Sequence, residues 1–84
     1  MAYRVVIPKK VKRDLAKIDK RYYSKIITVL ASLENNPHIG KKLHGEQQHE
    51  RSCRVWPYRI IYQVKSREPV ILIVKIAHRQ SSYY

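Results

Sequence analysis

Two strand-like runs in the last third of the chain constrain the fold more than anything before them. In YRIIYQV (58–64), Tyr58, Ile60, Tyr62 and Val64 alternate with Arg59, Ile61 and Gln63, the period-two pattern of a half-buried strand. The run from Val70 to Ala77 is apolar nearly throughout, which predicts a central strand covered on both faces. A link as short as 65–69 makes an antiparallel hairpin the expected pairing. Inside this apolar sheet Arg59 is expensive to keep unless it has a carboxylate partner or a task. The second run stops at His78 and Arg79, with Tyr83 and Tyr84 beyond them.

The earlier residues supply the rest of a small domain. Tyr3 to Ile7 reads as a first strand, ended by Pro8, which also suits a helix start. Between Lys10 and Lys20, Val11, Leu15 and Ile18 recur at i, i+4 and i+7, a narrow apolar stripe on a basic helix. Asp19 is placed to cap a second helix, whose broad apolar face is Tyr22, Tyr23, Ile26, Ile27, Leu30 and Leu33 and which stops at Asn35-Asn36-Pro37. A polar connection over 38–48 holds both glycines, with Leu43 expected to anchor it to the core. From Arg51 to Trp56, Cys53 and Val55 fall on one strand face and Ser52, Arg54 and Trp56 on the other, before a turn at Trp56-Pro57. The predicted fold is α+β in two layers: an N-terminal strand, a helical hairpin, then a three-stranded antiparallel meander, as one domain over 1–84.

Charge narrows the partners. Eighteen Lys+Arg against six Asp+Glu give a net +12 and a pI near 10.2. A small folded domain this basic repels itself unless it meets a polyanion. The lone Cys53 excludes an internal disulfide and a cysteine-rich zinc site, and reads as a small buried hydrophobe. His38, His44 and His49 match no metal-ligand spacing, so neither metal nor cofactor is expected. Without a bilayer-length apolar run or a signal-peptide pattern, the expected place is the cytoplasm, with no membrane partner.

No nucleophile elbow, phosphate-binding glycine loop or paired-carboxylate motif is present, and six scattered acids do not make a two-metal nuclease. Arginine, lysine, histidine and tyrosine suffice for metal-free RNA cleavage through the neighbouring 2′-hydroxyl, and equally for passive RNA binding. Composition leaves both open.

Five segments carry a resemblance: KRDLAKID (12–19), LENNP (33–37), KKLHG (41–45), RVWPYRIIYQV (54–64) and VKIAHRQSSYY (74–84). Together, over nearly the whole chain, they resemble the RelE/ParE superfamily of type II toxin–antitoxin toxins, and its RelE-like branch in particular. The resemblance implies a ribosome-dependent mRNA endoribonuclease that blocks translation and is held inactive by an acidic antitoxin, with ribosome and mRNA as its other partners. It implies that Arg59 lies at the scissile phosphate, that Arg79 is a phosphate ligand or acid, and that Tyr83, or alternatively Tyr84, meets the mRNA base. His78 is a secondary candidate for proton transfer. Where the cleaving branch has two lysines this chain has Arg51, Ser52 and Arg54; Arg51 and Arg54 are expected to bind RNA, and the general base is unassigned because arginine hardly deprotonates. Two rivals remain: a ParE-type toxin that poisons DNA gyrase by protein contact, and a non-catalytic RNA-binding member. For Arg59 the competing reading is a surface cation paired with Glu50 or Glu68; Tyr62 is expected in the core.

Overall fold

The computed structural model describes residues 3–43 and 49–79. Seven elements follow in order: β1 Arg4–Val6, α1 Lys9–Ala16, α2 Lys20–Leu33, β2 Lys41–Lys42, β3 Glu50–Val55, β4 Tyr58–Lys65 and β5 Val70–His78. The helical hairpin forms where the sequence punctuates it. Pro8 is the N-cap of α1, extended at φ −62° and ψ 158°. Asp19 caps α2: its Oδ1 accepts the backbone N–H of Arg21 at 2.9 Å, while Oδ2 pairs with the Arg21 guanidinium at 3.0 Å. That pairing draws the Asp19 carboxyl below its ordinary value.

The strands make one sheet in the order β1-β5-β4-β3-β2. β5 pairs antiparallel with β4 and parallel with β1, so the apolar run is interior to the sheet as expected, but among the described residues the helices cover only one of its faces rather than both. A bulge lies between Ile61 and Tyr62: Ile61 pairs with Lys75 and Tyr62 with Ile73, so Val74 is skipped. The skip keeps Tyr62 and Val64 on the same face as Ile71 and Ile73.

That face is the core. Val11, Leu15 and Ile18 from the first helical segment and Ile26, Leu30 and Leu33 from α2 pack on Val55, Ile60, Tyr62, Ile71, Ile73 and Ile76. Each fully buried aliphatic side chain contributes about 1.5–3 kcal/mol, and a domain of this size depends on that sum. The structure refines three expectations. The apolar face of α2 is narrower than its sequence suggests: Tyr23 and Ile27 are exposed, because only the i, i+4, i+7 row reaches the sheet. The polar connection contributes a fifth strand, β2, paired antiparallel with β3. Leu43 is half-buried and stands outside the core cluster, since its backbone N–H is drawn to Glu50 O on the sheet edge. No helix among the described residues is long and apolar enough to cross a membrane.

Candidate nucleic-acid interface

Among the described residues the helices cover one sheet face and leave the other bare, and the hairpin between β3 and β4 decides which side chains stand there. Its turn is only Trp56 and Pro57, and in its register Val55 pairs with Tyr58 and Arg54 with Arg59. Val55 and Tyr58 point to the helices, which turns Arg54 and Arg59 to the uncovered face. Two arginines directly opposite one another repel. Among the described residues neither has a carboxylate in reach; Glu50 is taken up with Gln63 Nε2 at 3.4 Å instead.

β5 completes this end of the sheet. Ala77 is the cross-strand partner of Arg59, a small side chain that leaves the guanidinium room. Arg79 follows; its backbone N–H donates to Pro57 O at 2.7 Å, and its guanidinium lies 5.6 Å from the centre of the Trp56 ring. The uncovered face also carries an apolar floor. Ile61, Val70 and Ala77 are buried there, each opposite a basic residue, Lys75, Lys65 and Arg59, whose aliphatic stem is long enough to lie over it.

From Arg54 and Arg59 a groove of about 650 Å³ runs toward β2 along the edge of β3, lined by Ser52, Cys53, Ile39, Lys41, Lys42 and Leu43. Lys41 stands opposite Ser52 and therefore on the arginine face. Lys41 is absent from the sequence-derived site, since nothing in 38–48 marks a strand; the doubled lysine of KKLHG is the only trace of it.

Two other candidates stand elsewhere. His78 pairs with Tyr58 and shares the helix face, in an aromatic row of Tyr22, Tyr58 and His78 with ring centres 6.0 Å and 5.3 Å apart. The sheet thus lies between His78 and Arg59. Arg51 also points to the helix side, opposite Tyr62, where its guanidinium donates to Gly40 O at 3.1 Å and His38 O at 3.2 Å. Tyr62 is fully buried, as expected, and its hydroxyl donates to Pro37 O and accepts the Gly40 N–H, both at 2.9 Å. Tyr83 and Tyr84 lie outside the described residues, as does His44. Among the described residues no three His, Cys, Asp or Glu side chains gather as metal ligands.

Two helices thus pack on one face of a short mixed sheet, and arginines stand on the other. A family model described as the ParE toxin of type II toxin–antitoxin systems matches residues 5–83, and the chain belongs to that family, within the RelE/ParE superfamily. Its fold is RelE-like. It is similar to the RelBE2 toxin–antitoxin complex of Mycobacterium tuberculosis, at 26% identity over 94% of this chain and 100% of that one, with a TM-score of 0.86. Against the archaeal RelE–RelB complex of Pyrococcus horikoshii the identity is 29%, the coverage 98% and 100%, and the TM-score 0.78. The isolated RelE toxin of E. coli shares the fold at 19% identity, covering 92% of this chain and 84% of that one, with a TM-score of 0.80. No curated protein matches by sequence.

Proposed function

We propose that this toxin is a ribosome-dependent mRNA endoribonuclease that works without a bound metal ion. The observation that supports it best is the Arg54–Arg59 pair, two cations set face to face on the bare side of the sheet with no carboxylate in reach among the described residues. Such a pair is unfavourable alone and favourable around a phosphate, whose oxygens guanidinium groups match in geometry. In the proposed reaction the 2′-oxygen attacks the adjacent phosphorus and the bond to the 5′-oxygen breaks, leaving a 2′,3′-cyclic phosphate and a 5′-hydroxyl. Arg59 and Arg54 stabilise the charge on the crowded phosphate, and Arg79, anchored at the same hairpin, adds a third cation. Arginine holds its proton at neutral pH, so the proton lost by the 2′-hydroxyl goes to another group or to solvent, and the leaving 5′-oxygen takes its proton from that same pool. Tyr83 meets the base of the substrate, and Tyr84 is its alternative. The ribosome aligns the 2′-hydroxyl, and the site of action is the cytoplasm.

Primer extension on mRNA after induced expression tests the reading: discrete stops within translated codons are expected. Single-turnover cleavage on programmed ribosomes then tests the residues. Arg59→Ala and Arg79→Ala should each lose about 2–4 kcal/mol of transition-state stabilisation, the scale of a lost oxyanion donor. Tyr83→Phe should be mild and Tyr83→Ala severe if the ring stacks. Wild-type rates from both folded arginine variants would refute the assignment. Elemental analysis of the purified protein should find no stoichiometric transition metal.

The second reading is the ParE-type one that the resemblance implies, poisoning of DNA gyrase by protein contact, and the matching family is described as a ParE toxin. Gyrase-linked DNA breaks without mRNA stops would select it. Either reading comes with an antitoxin partner, supported by the M. tuberculosis and P. horikoshii relatives, whose structures are toxin–antitoxin complexes, and by a charge of +12 that calls for an acidic one.

A further inference from the structure

The groove beside Arg59 changes character along its length. At the Arg54–Arg59 end it is cationic. Toward β2 it offers Ile39, 44% exposed, and the half-buried Leu43 beside Ser52. Lys41 adds one more cation on the arginine face, and among the described residues no carboxylate lines the groove. A volume of about 650 Å³ falls in the range of small-ligand sites, ~300–1,000 Å³. The ligand that suits it is anionic at its ends and flat and apolar between them. One nucleotide of single-stranded RNA has that form, a base flanked by two phosphates. Resting on the cleavage reading above, we propose that this groove is a base subsite for the nucleotide next to the phosphate at Arg59. Ile39 packs on the base, and Lys41 takes its far phosphate.

A strand of two residues does not hold such a wall by itself. The segment 37–40 is fastened from inside the core. The Tyr62 hydroxyl donates to Pro37 O and accepts the Gly40 N–H, while Arg51 donates to the carbonyls of Gly40 and His38. Gly40 has to be glycine for this, because a Cβ there would stand 2.5 Å from the Tyr62 hydroxyl oxygen. Tyr62 and Arg51 are therefore positioning residues. They touch no RNA, yet they set where Ile39 and Lys41 stand.

NMR titration with a 2′-O-methyl RNA strand, which cannot be cut through its 2′-oxygen, tests the subsite. The same strand carrying one abasic position, scanned along its length, supplies the control. Ile39→Ala should weaken the full strand about fivefold, from lost apolar contact, and leave unchanged the strand whose abasic position falls in the groove. Lys41→Gln should lower the slope of log affinity against log salt by about 0.7, one phosphate contact on a single strand. Tyr62→Phe, its fold checked by its amide spectrum, should reproduce both effects, and adding Ile39→Ala to it should cost nothing further. Equal losses on full and abasic strands, or wild-type binding by the groove variants, overturn the subsite. If Arg59→Ala still weakens binding in that case, the cleavage reading survives without it; if Arg59→Ala is silent too, both fall. An acidic peptide that alone loses affinity to Ile39→Ala would assign the groove to a protein partner and likewise overturn the proposal.

Discussion

At the scale of single residues, the chain divides its costly polar side chains between two jobs. Arg54 and Arg59 are left without a partner among the described residues on an open face, which marks them for a ligand. Tyr62 and Arg51 are satisfied inside, and there the cost of removal is structural. Tyr62→Phe keeps the ring but strands the Gly40 N–H and the Pro37 carbonyl, so it should lose about 1–3 kcal/mol in urea unfolding. The hydroxyl also makes a pH prediction. Desolvation by burial raises the Tyr62 pKa above its ordinary 10.0, against the opposing pull of the Gly40 N–H and the Arg51 charge. The folded state thus holds this proton more tightly than the unfolded one. Its stabilisation is complete below the ordinary value and is lost as pH rises through the raised one. Urea midpoints from about pH 8 to about pH 11 should fall for the wild type, and part of that fall should be missing in Tyr62→Phe.

At the scale of elements, the α2 cap and the sheet bulge set the geometry. The Asp19 carboxyl is drawn below its ordinary 3.8 chiefly by its hydrogen bonds to the Arg21 side chain and backbone. The sign is that of a lowered acid: its contribution is present above the ordinary value and is lost as pH falls through the folded one. Asp19→Asn keeps a capping oxygen and loses the charge, so its unfolding midpoint should change less with acid than that of the wild type, as followed by circular dichroism. Inside the hairpin, Ile26 is fully buried against the sheet, and Ile26→Ala should cost about 2–5 kcal/mol, enough to unfold much of a marginal domain in a urea titration. The bulge at Ile61/Tyr62 matters for the site as well. By skipping Val74 of β5 it brings Ile73 and Ile71 to the helix side with Tyr62 and Val64, while the unbroken alternation of β4 leaves Arg59 and Ile61 on the bare face.

At the scale of the molecule, a charge of +12 surrounds one apolar core, and association with an acidic partner should be steered by that field. Stopped-flow association with the product of the neighbouring gene should slow steeply as salt rises; a rate indifferent to salt would remove the steering. The sequence by itself determined the alternation of β4, the apolar run of β5, the helical stripe of Val11, Leu15 and Ile18 and the cap at Asp19. Each is a local pattern, written within one element's own period, and local periods survive in a linear reading. Arg59 was legible for the same reason, as a charge inside an apolar strand. Only the tertiary structure decided the rest. A tight turn pairs Arg54 with Arg59, a pleat separates His78 from both, and a core tyrosine with Arg51 fastens the segment that brings Lys41 onto the arginine face. The first two relations come from register, and the last from hydrogen bonds between residues 11 to 25 positions apart; neither leaves a period in the sequence.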